Sequence, residues 1–218
     1  RQNRTVFPVA CFHFQSYNLS KDLNERLFAI IIILVIFIFP FFLVRRGNML
    51  MYCSASALAG FEIIVLLGLQ LAAGNMYQLT GLAIASIMGG LALGAGIEKI
   101  LKNTDLRVTA TVLLLFYVVM ALSFKQIVEI KTTFIPVLIV VISAAIPAML
   151  TGQIFRRITS AGQENAGTTY GSDLEGSALG FIMVSGLSVP AFGIRISIFL
   201  LAAMIFTGIL FGTNSNKL

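Results

Sequence analysis

The stretch Leu27–Val44, LFAIIIILVIFIFPFFLV, decides the fold class, because none of its eighteen residues carries a polar side chain. Arg26 precedes the stretch, and Arg45 and Arg46 follow it. The apolar core of a bilayer is about 30 Å thick, and a helix crosses it in roughly 20 apolar residues. The segment therefore predicts a helix that spans a membrane.

Further apolar segments predict the rest of the molecule. They are Ala55–Ala73, Gln78–Ile97, Val108–Phe124, Thr133–Phe155, Gly176–Phe192 and Ile194–Gly212. Together with the first stretch they predict an all-α fold, a polytopic transmembrane helical bundle of about seven helices. The domain organisation we expect is an extramembrane segment over 1–26, the transmembrane domain over 27–212 and a tail over 213–218.

Composition and charge support the same class. The chain is 58% hydrophobic and 11% charged, whereas soluble domains carry about 25% charged residues. The net charge of +6 comes from loop residues and does not predict nucleic-acid binding. Because cytoplasmic loops are rich in Lys and Arg, we expect the C-terminus in the cytoplasm and residues 1–26 outside. The basic residues that carry this prediction are Arg45, Arg46, Lys99, Lys102, Arg107, Arg156, Arg157 and Lys217.

Catalytic and metal-binding patterns are missing from the sequence. Cys11 and Cys53 flank the first span, so they cannot pair within one chain that crosses the membrane. Cys11 is two residues before the only histidine, His13, in the sequence, but two ligands are too few to form a metal site. No nucleophile–base pattern and no phosphate-binding loop occurs. We therefore expect no metal, no cofactor and no catalytic residue in this chain.

Two polar residues interrupt the second apolar segment. Glu62 lies near its middle, and Gln70 follows eight residues later, which places both side chains near one helical face. A carboxylate at this depth costs about 2.5–3.5 kcal/mol on insertion scales. Glu62 therefore either forms a proton or cation site or anchors a neighbouring helix by hydrogen bonding. For Gln70 we favour the anchoring role.

Small residues recur at four-residue spacing in two segments. The third segment carries Gly81, Ala85 and Gly89, and also Gly90 and Gly94. Such spacing lets helix backbones approach closely, so we expect tight packing. The alternative is a helix that slides or that exposes its backbone to a ligand.

The sixth segment begins within YGSDLEGSALG, residues 170–180, where Asp173 and Glu175 precede Gly176 and Gly180. Carboxylates are favoured at a helix N-terminus by the macrodipole and by free N–H groups, which would explain both without a functional role. The two glycines form a close-packing face, however, and Asp173 could instead point into a helix interface.

Two stretches resemble membrane helices of the bacterial fused major-facilitator/spermidine synthases. They are ALAGFEIIVLLGLQLAAGNMYQLTGLAIASIMGGLALGAG and TTYGSDLEGSALGFIMVSGLSVPAFGI, and the resemblance covers roughly Ala55–Ile209. The first helix, Leu27–Val44, departs from the family pattern, in which the helix with the glutamate comes first. The positions that fit the pattern are Glu62, Tyr77, Gly90, Gly94, Tyr170, Asp173, Gly176, Gly180 and Pro190.

The resemblance implies a transporter-like, non-catalytic module in the bacterial inner membrane. The family's soluble synthase domain, which uses decarboxylated S-adenosylmethionine and a polyamine, has no counterpart in this sequence, and no active-site residue is carried over. Partners would be the lipid bilayer and either an attached domain or other subunits. An attachment before Arg1 would conflict with an outside N-terminus. Because the chain starts with Arg1, we expect a processed protein or a piece of a longer one. The candidate residues for binding a polyamine or another cation are Glu62, Gln70, Tyr77, Tyr170 and Asp173.

An alternative interpretation is a structural subunit that anchors a larger membrane complex. The small-residue faces favour it, and so does the scarcity of charges inside the apolar segments. In that case Glu62 would pair with a neighbouring helix, and the chain would bind no polyamine.

Overall fold

The structure, a computed structural model, describes residues 44–73, 76–96, 105–128, 134–160 and 166–212. It also describes seven positions of the first apolar segment, namely 27, 28, 30–32, 34 and 35. The predicted N-terminal segment 1–26, which holds Cys11 and His13, and the tail 213–218 lie outside the described residues.

Helices make up the described part of the chain, and no strand occurs in it. A 3₁₀ turn, Arg46–Asn48, leads into α1, and a π-helix, Met183–Ser188, separates α5 from α6. The all-α prediction is thereby confirmed. The helices are α1 (Met49–Ala73), α2 (Met76–Gly96), α3 (Leu106–Val128), α4 (Phe134–Ser160), α5 (Ala166–Ile182), α6 (Val189–Phe192) and α7 (Ile194–Gly212).

Six helical stretches within the described ranges are long and apolar enough to cross a membrane. They also expose large apolar side chains such as Leu82, Leu115 and Phe206, which suits contact with lipid. The protein is therefore a multi-pass integral membrane protein. The six stretches are Arg46–Leu71, Leu79–Gly96, Leu106–Phe124, Val137–Ser160, Ala166–Phe192 and Ile194–Gly212. The seven described positions between 27 and 35 are helical and largely exposed, and the rest of the predicted span up to residue 43 lies outside the described residues.

Helix α1 is the centre of the bundle. Every residue from Asn48 to Phe61 is buried, because α1 packs against α5, α7 and α4 and more sparsely against α2. Helix α7 also packs against α3, whereas α2 packs mainly against α4. A helix that is apolar all round is expected in such an interior position.

Glycines set the closest contacts of α1. The backbone of α5 approaches that of α1 where Gly176 meets the Tyr52 carbonyl and Gly180 meets the Ser56 carbonyl. Both positions advance by four residues, so α1 and α5 run parallel. On the α7 side, Gly208 lies against Cys53. No Cβ atom would fit against the two carbonyls.

A second close contact joins α2 to α4. Gly90 meets the Ala145 carbonyl, and Gly94 meets the Met149 carbonyl. Gly152 of α4 in turn meets the Leu91 carbonyl. These two helices are also parallel, and their backbones touch because both sides of the contact offer glycine or alanine.

The structure corrects several predicted helix boundaries. Helix α1, for example, begins at Met49 rather than at Ala55. Helix α5 begins at Ala166, ten residues before the predicted start at Gly176, and α4 continues to Ser160 rather than ending at Phe155. Asp173 and Glu175 therefore lie in the second and third turns of α5, so the interpretation of both as residues of a helix N-terminus was wrong. The polar first turns of α5 stay helical because they pack and hydrogen-bond against the start of α1.

Candidate ligand site within the helical bundle

Glu62 lies inside the apolar span that contains α1, and its side chain is partly exposed. In the described part of the chain, no side chain forms a hydrogen bond or an ion pair with its carboxylate. The preceding residue, Phe61, is 1% exposed and packs edge-on against Phe116 and Tyr117, with ring centroids 5.6 and 5.5 Å away. Aromatic packing thus fixes the position of α1 at Glu62, whose carboxylate has no partner among the described residues.

The second half of α1 has one open face. Glu62, Leu66 and Gln70 are partly exposed, whereas Phe61 and Gly68 on the opposite side of the helix are buried. The first half of α1 has no such face. Gln70 therefore lies on the same open face as Glu62, and its amide has no hydrogen-bond partner among the described residues.

Asp173 and Tyr170 lie in a different region. Asp173 is partly exposed and Tyr170 is 55% exposed. Because Gly176 lies against Tyr52, Asp173 is close to the level of Met49, thirteen residues before Glu62. A rise of 1.5 Å per residue separates the two carboxylates by about 20 Å along the bundle. The structure does not bring Glu62 and Asp173 together, and the Tyr77 side chain lies outside what the structure describes.

A polar cluster joins the beginnings of α1 and α5. Asn48 Nδ2 donates to Thr168 Oγ1 over 3.2 Å, and Thr169 Oγ1 donates to Asn48 Oδ1 over 3.1 Å. Ser172 Oγ donates to the Thr168 carbonyl over 3.0 Å. We call Asn48, Thr168, Thr169 and Ser172 the polar seam. Sequence reasoning missed it, although the run of hydroxyl residues before Asp173 was a usable signal.

The Tyr52 hydroxyl, one turn further along α1, is an unusual atom. Tyr52 is 1% exposed, and its buried hydroxyl has no hydrogen-bond partner among the described residues. Elsewhere in the described residues, the buried polar atoms without a partner are Tyr117 Oη, Thr151 Oγ1 and Gln153 Nε2.

The predicted small-residue positions divide into two groups. Gly90, Gly94, Gly176 and Gly180 are buried against the backbone of a neighbouring helix. Gly81, Ala85 and Gly89 are exposed on the other side of α2, and a Cβ atom at either glycine would meet nothing within 4 Å. A packing role for these three residues stays a prediction.

The described residues contain no group of three His, Cys, Asp or Glu side chains that could hold a metal ion. No protein-family model, curated protein or solved structure matches the chain. The resemblance to the spermidine synthase family therefore stays a prediction.

Proposed function

We propose that the chain is a non-catalytic, transporter-like membrane module of a spermidine-synthase-like protein, and that it binds a polyamine or another cation. The observation that carries the proposal is the carboxylate of Glu62 in the central helix, which has no partner in the part of the chain that the structure describes. Keeping a charge at such a depth costs about 2.5–3.5 kcal/mol. A bound cation would offset that cost by supplying the missing counter-charge.

The open face of α1 suits an elongated cation. Glu62 and Gln70 are eight residues apart, which corresponds to about 12 Å along the helix. A linear polyamine carries several ammonium groups along one chain. One of them would pair with the Glu62 carboxylate, and another would donate to the Gln70 amide oxygen. Intramembrane carboxylates commonly mark ion or substrate pathways, which supports the transporter-like part of the proposal.

The test measures spermidine binding to the purified protein in phosphatidylcholine nanodiscs. We expect Glu62→Gln to weaken binding at least about tenfold, since a charge-assisted hydrogen bond contributes roughly 1.5–3 kcal/mol. Asp105→Asn is the matched control, because it makes the same charge change at an exposed position before α3. Equal binding by Glu62→Gln and the unchanged protein would refute the proposal, provided that both melt at the same temperature.

A second candidate function is a structural subunit that anchors a larger membrane complex. The observation that favours it is the exposed face of α2, where Gly81, Ala85 and Gly89 leave room for a close partner helix. Gly89→Leu should then release proteins that co-purify from native membranes. Ala203→Leu, at an exposed position of α7, is the control and should retain them. Retention by both variants would exclude this role for the α2 face.

A further inference from the structure

The open face of α1 is a continuous strip along the second half of the helix. Ile63 and Leu67 are partly exposed as well, so they belong to it together with Glu62, Leu66 and Gln70. Because successive residues of an α-helix are turned by about 100°, these five positions fall within an arc of about 140°. The rest of the helix surface at this level is covered by neighbouring helices.

The open face lies where α5 turns away from α1. Residues of α5 and of the π-helix that follows it touch α1 at Tyr52, Ser56 and Gly60 in turn. Each step of four residues moves the contact by about 40° round α1, from the middle of the open arc at Tyr52 to its edge at Gly60. Such spacing is typical of right-handed crossings of about 40°, in which the helices diverge beyond the contact. The side of α1 that α5 covers in the first half is therefore open in the second half.

The degree of exposure distinguishes this face from the outer surface of the bundle. Leu82 of α2 and Leu115 of α3 are 52% and 56% exposed, as expected for side chains in contact with lipid. Leu66 and Leu67 are the same residue type but are only partly exposed. The open face also holds a carboxylate and an amide, which lipid tails cannot solvate. It is therefore the floor of a cleft.

The cleft is closed at one end. Towards Arg45 and Arg46, every residue from Asn48 to Phe61 is buried, which amounts to about 20 Å of packed helix. In the other direction the face stays open from Glu62 to Leu71, which is 42% exposed and about 14 Å away. The short route to Glu62 thus starts at the end of the bundle opposite to the two arginines.

We infer that the second half of α1 lines a water-filled cleft that admits cations as far as Glu62 and opens only at the end opposite to Arg45 and Arg46. Gln70 lies near its mouth, and Leu66 lies between the two polar residues, where it would contact the methylene groups of a polyamine. The inference rests on the function proposed above, because it assigns the side of the membrane from which the Glu62 site is loaded. The orientation expected from the loop charges makes that side the outside of the cell.

The test is the reaction of single cysteines with a positively charged, membrane-impermeant methanethiosulfonate. Cys11 and Cys53 are replaced by alanine in the full chain, and Leu66→Cys, Gln70→Cys or Gly47→Cys is then added. The reagent is applied either to intact cells or to inside-out membrane vesicles. Gly47 is exposed beside the two arginines, so its cysteine marks that side whatever the orientation. We expect the cysteines at 66 and 70 to react only from the opposite side.

Two leucine positions are matched controls for Leu66→Cys. Leu115→Cys is in contact with lipid, and Leu58→Cys, at a position 8% exposed, lies on the closed side of Glu62. Leu66→Cys should react at least about tenfold faster than either control, because the reagent needs water and an ionised thiol. Equal rates for Leu66→Cys and Leu115→Cys would overturn the inference. Unchanged elution in size-exclusion chromatography shows that each variant is folded.

The sidedness of the reaction decides the rest. Reaction of Leu66→Cys from the side of Gly47→Cys, or from both sides, would overturn the inference. Reaction from neither side would also overturn it, because lipid or a partner helix would then cover the open face. Spermidine should slow the outside reaction, and Glu62→Gln should remove that protection. One-sided reaction without protection supports the cleft but counts against the polyamine, so the inference and the proposed function fail separately.

Discussion

At the scale of single residues, Gly89 and Gly90 show how sharply the surroundings change around one helix. A Cβ atom at Gly90 would collide with the Ala145 carbonyl and would lie 2.9 Å from the Cβ of Ala148. At Gly89 it would meet nothing within 4 Å. One position therefore controls the distance between α2 and α4, and its neighbour does not.

The first prediction concerns this pair. Gly90→Ala should destabilise the protein by about 1–3 kcal/mol, because the two backbones must move apart. Gly89→Ala should be neutral or slightly stabilising, since alanine is the better helix former by about 1 kcal/mol. Thermal unfolding in detergent measures both. Equal melting temperatures for the two variants would contradict the close contact.

The second prediction concerns the aromatic cluster. Tyr117 is 0% exposed, and its ring packs against Phe61 and Phe116 at centroid distances of 5.5 Å. Tyr117→Phe should keep these contacts and remove an unpaired hydroxyl, so stability should stay equal or rise by up to about 1 kcal/mol. Tyr117→Ala should lose about 3–5 kcal/mol, as large aromatic truncations do. A clear loss of stability in Tyr117→Phe would mean that the Tyr117 hydroxyl has a hydrogen-bond partner.

The small residues of α2 can be recognised in the sequence, but the sequence does not tell which of them pack against a neighbouring helix. Gly81, Ala85 and Gly89 have the same spacing as Gly90 and Gly94, so spacing alone cannot rank the two faces of α2. Only the position of α4 decides between them. Tyr52 was missed for a related reason, because its burial depends on the early turns of α5, which lie before the predicted start of that helix.

At the scale of elements, the π-helix Met183–Ser188 divides the last third of the bundle. A π-helix bonds residue i to i+5 and holds one more residue than an α-helix in the same length. Ser188 donates to Ser197 Oγ, which donates to the Gly193 carbonyl. Gly193 has φ +81°, a conformation that favours glycine. The wide turn is thus held between α1, where Gly60 lies against Val184, and α7, where Ser197 accepts from Ser188.

The third prediction uses this extra residue. Deletion of Gly186, which is exposed and has no neighbour within 4 Å of a built Cβ, should let the segment revert to an α-helix and lower the melting temperature only a little. Deletion of Ser177 should be far more harmful, because it moves Gly180 away from the Ser56 carbonyl. Size-exclusion chromatography and melting curves measure both. An equal fall in melting temperature for the two deletions would contradict the idea that the π-helix accommodates the removal of one residue.

Apolar runs were enough to predict the described spans, because each run has at least 17 residues, and a transmembrane helix needs about 17–25. The helix ends were not predictable in the same way. The residues from Ala166 to Glu175 have a polar composition typical of a connector, and they are helical because Asn48 and the backbone of α1 provide their contacts. Long-range partners, rather than local sequence, decide such boundaries.

At the scale of the whole molecule, one end of the bundle is basic. Gly212 lies against Leu50, so the beginning of α1 and the end of α7 share that end. The basic residues at the described helix ends there are Arg45, Arg46, Arg107, Arg156 and Arg157, whereas Arg195 lies at the start of α7, at the opposite end. This distribution follows the positive-inside pattern.

The fourth prediction is the orientation in the membrane. A green fluorescent protein fused after Leu218 should fluoresce, because it would stay in the cytoplasm. An alkaline phosphatase fused within residues 129–133, between α3 and α4, should be active, because it would be exported. A dark C-terminal fusion and an inactive phosphatase fusion would mean that the C-terminus lies outside the cytoplasm. The sequence alone suffices for this prediction, whereas no sequence pattern identifies the ligand.

The central position of α1 has a consequence for biogenesis. Its closest neighbours, Gly176 and Gly180, are translated more than a hundred residues after Tyr52 and Ser56. At roughly 5–20 residues per second, α1 waits on the order of ten seconds before α5 emerges. During that time the face of α1 that α5 later covers is in contact with lipid or the insertion machinery. Ribosomes that stall before α5 would leave an unassembled helix, which makes such chains natural targets for membrane quality-control proteases.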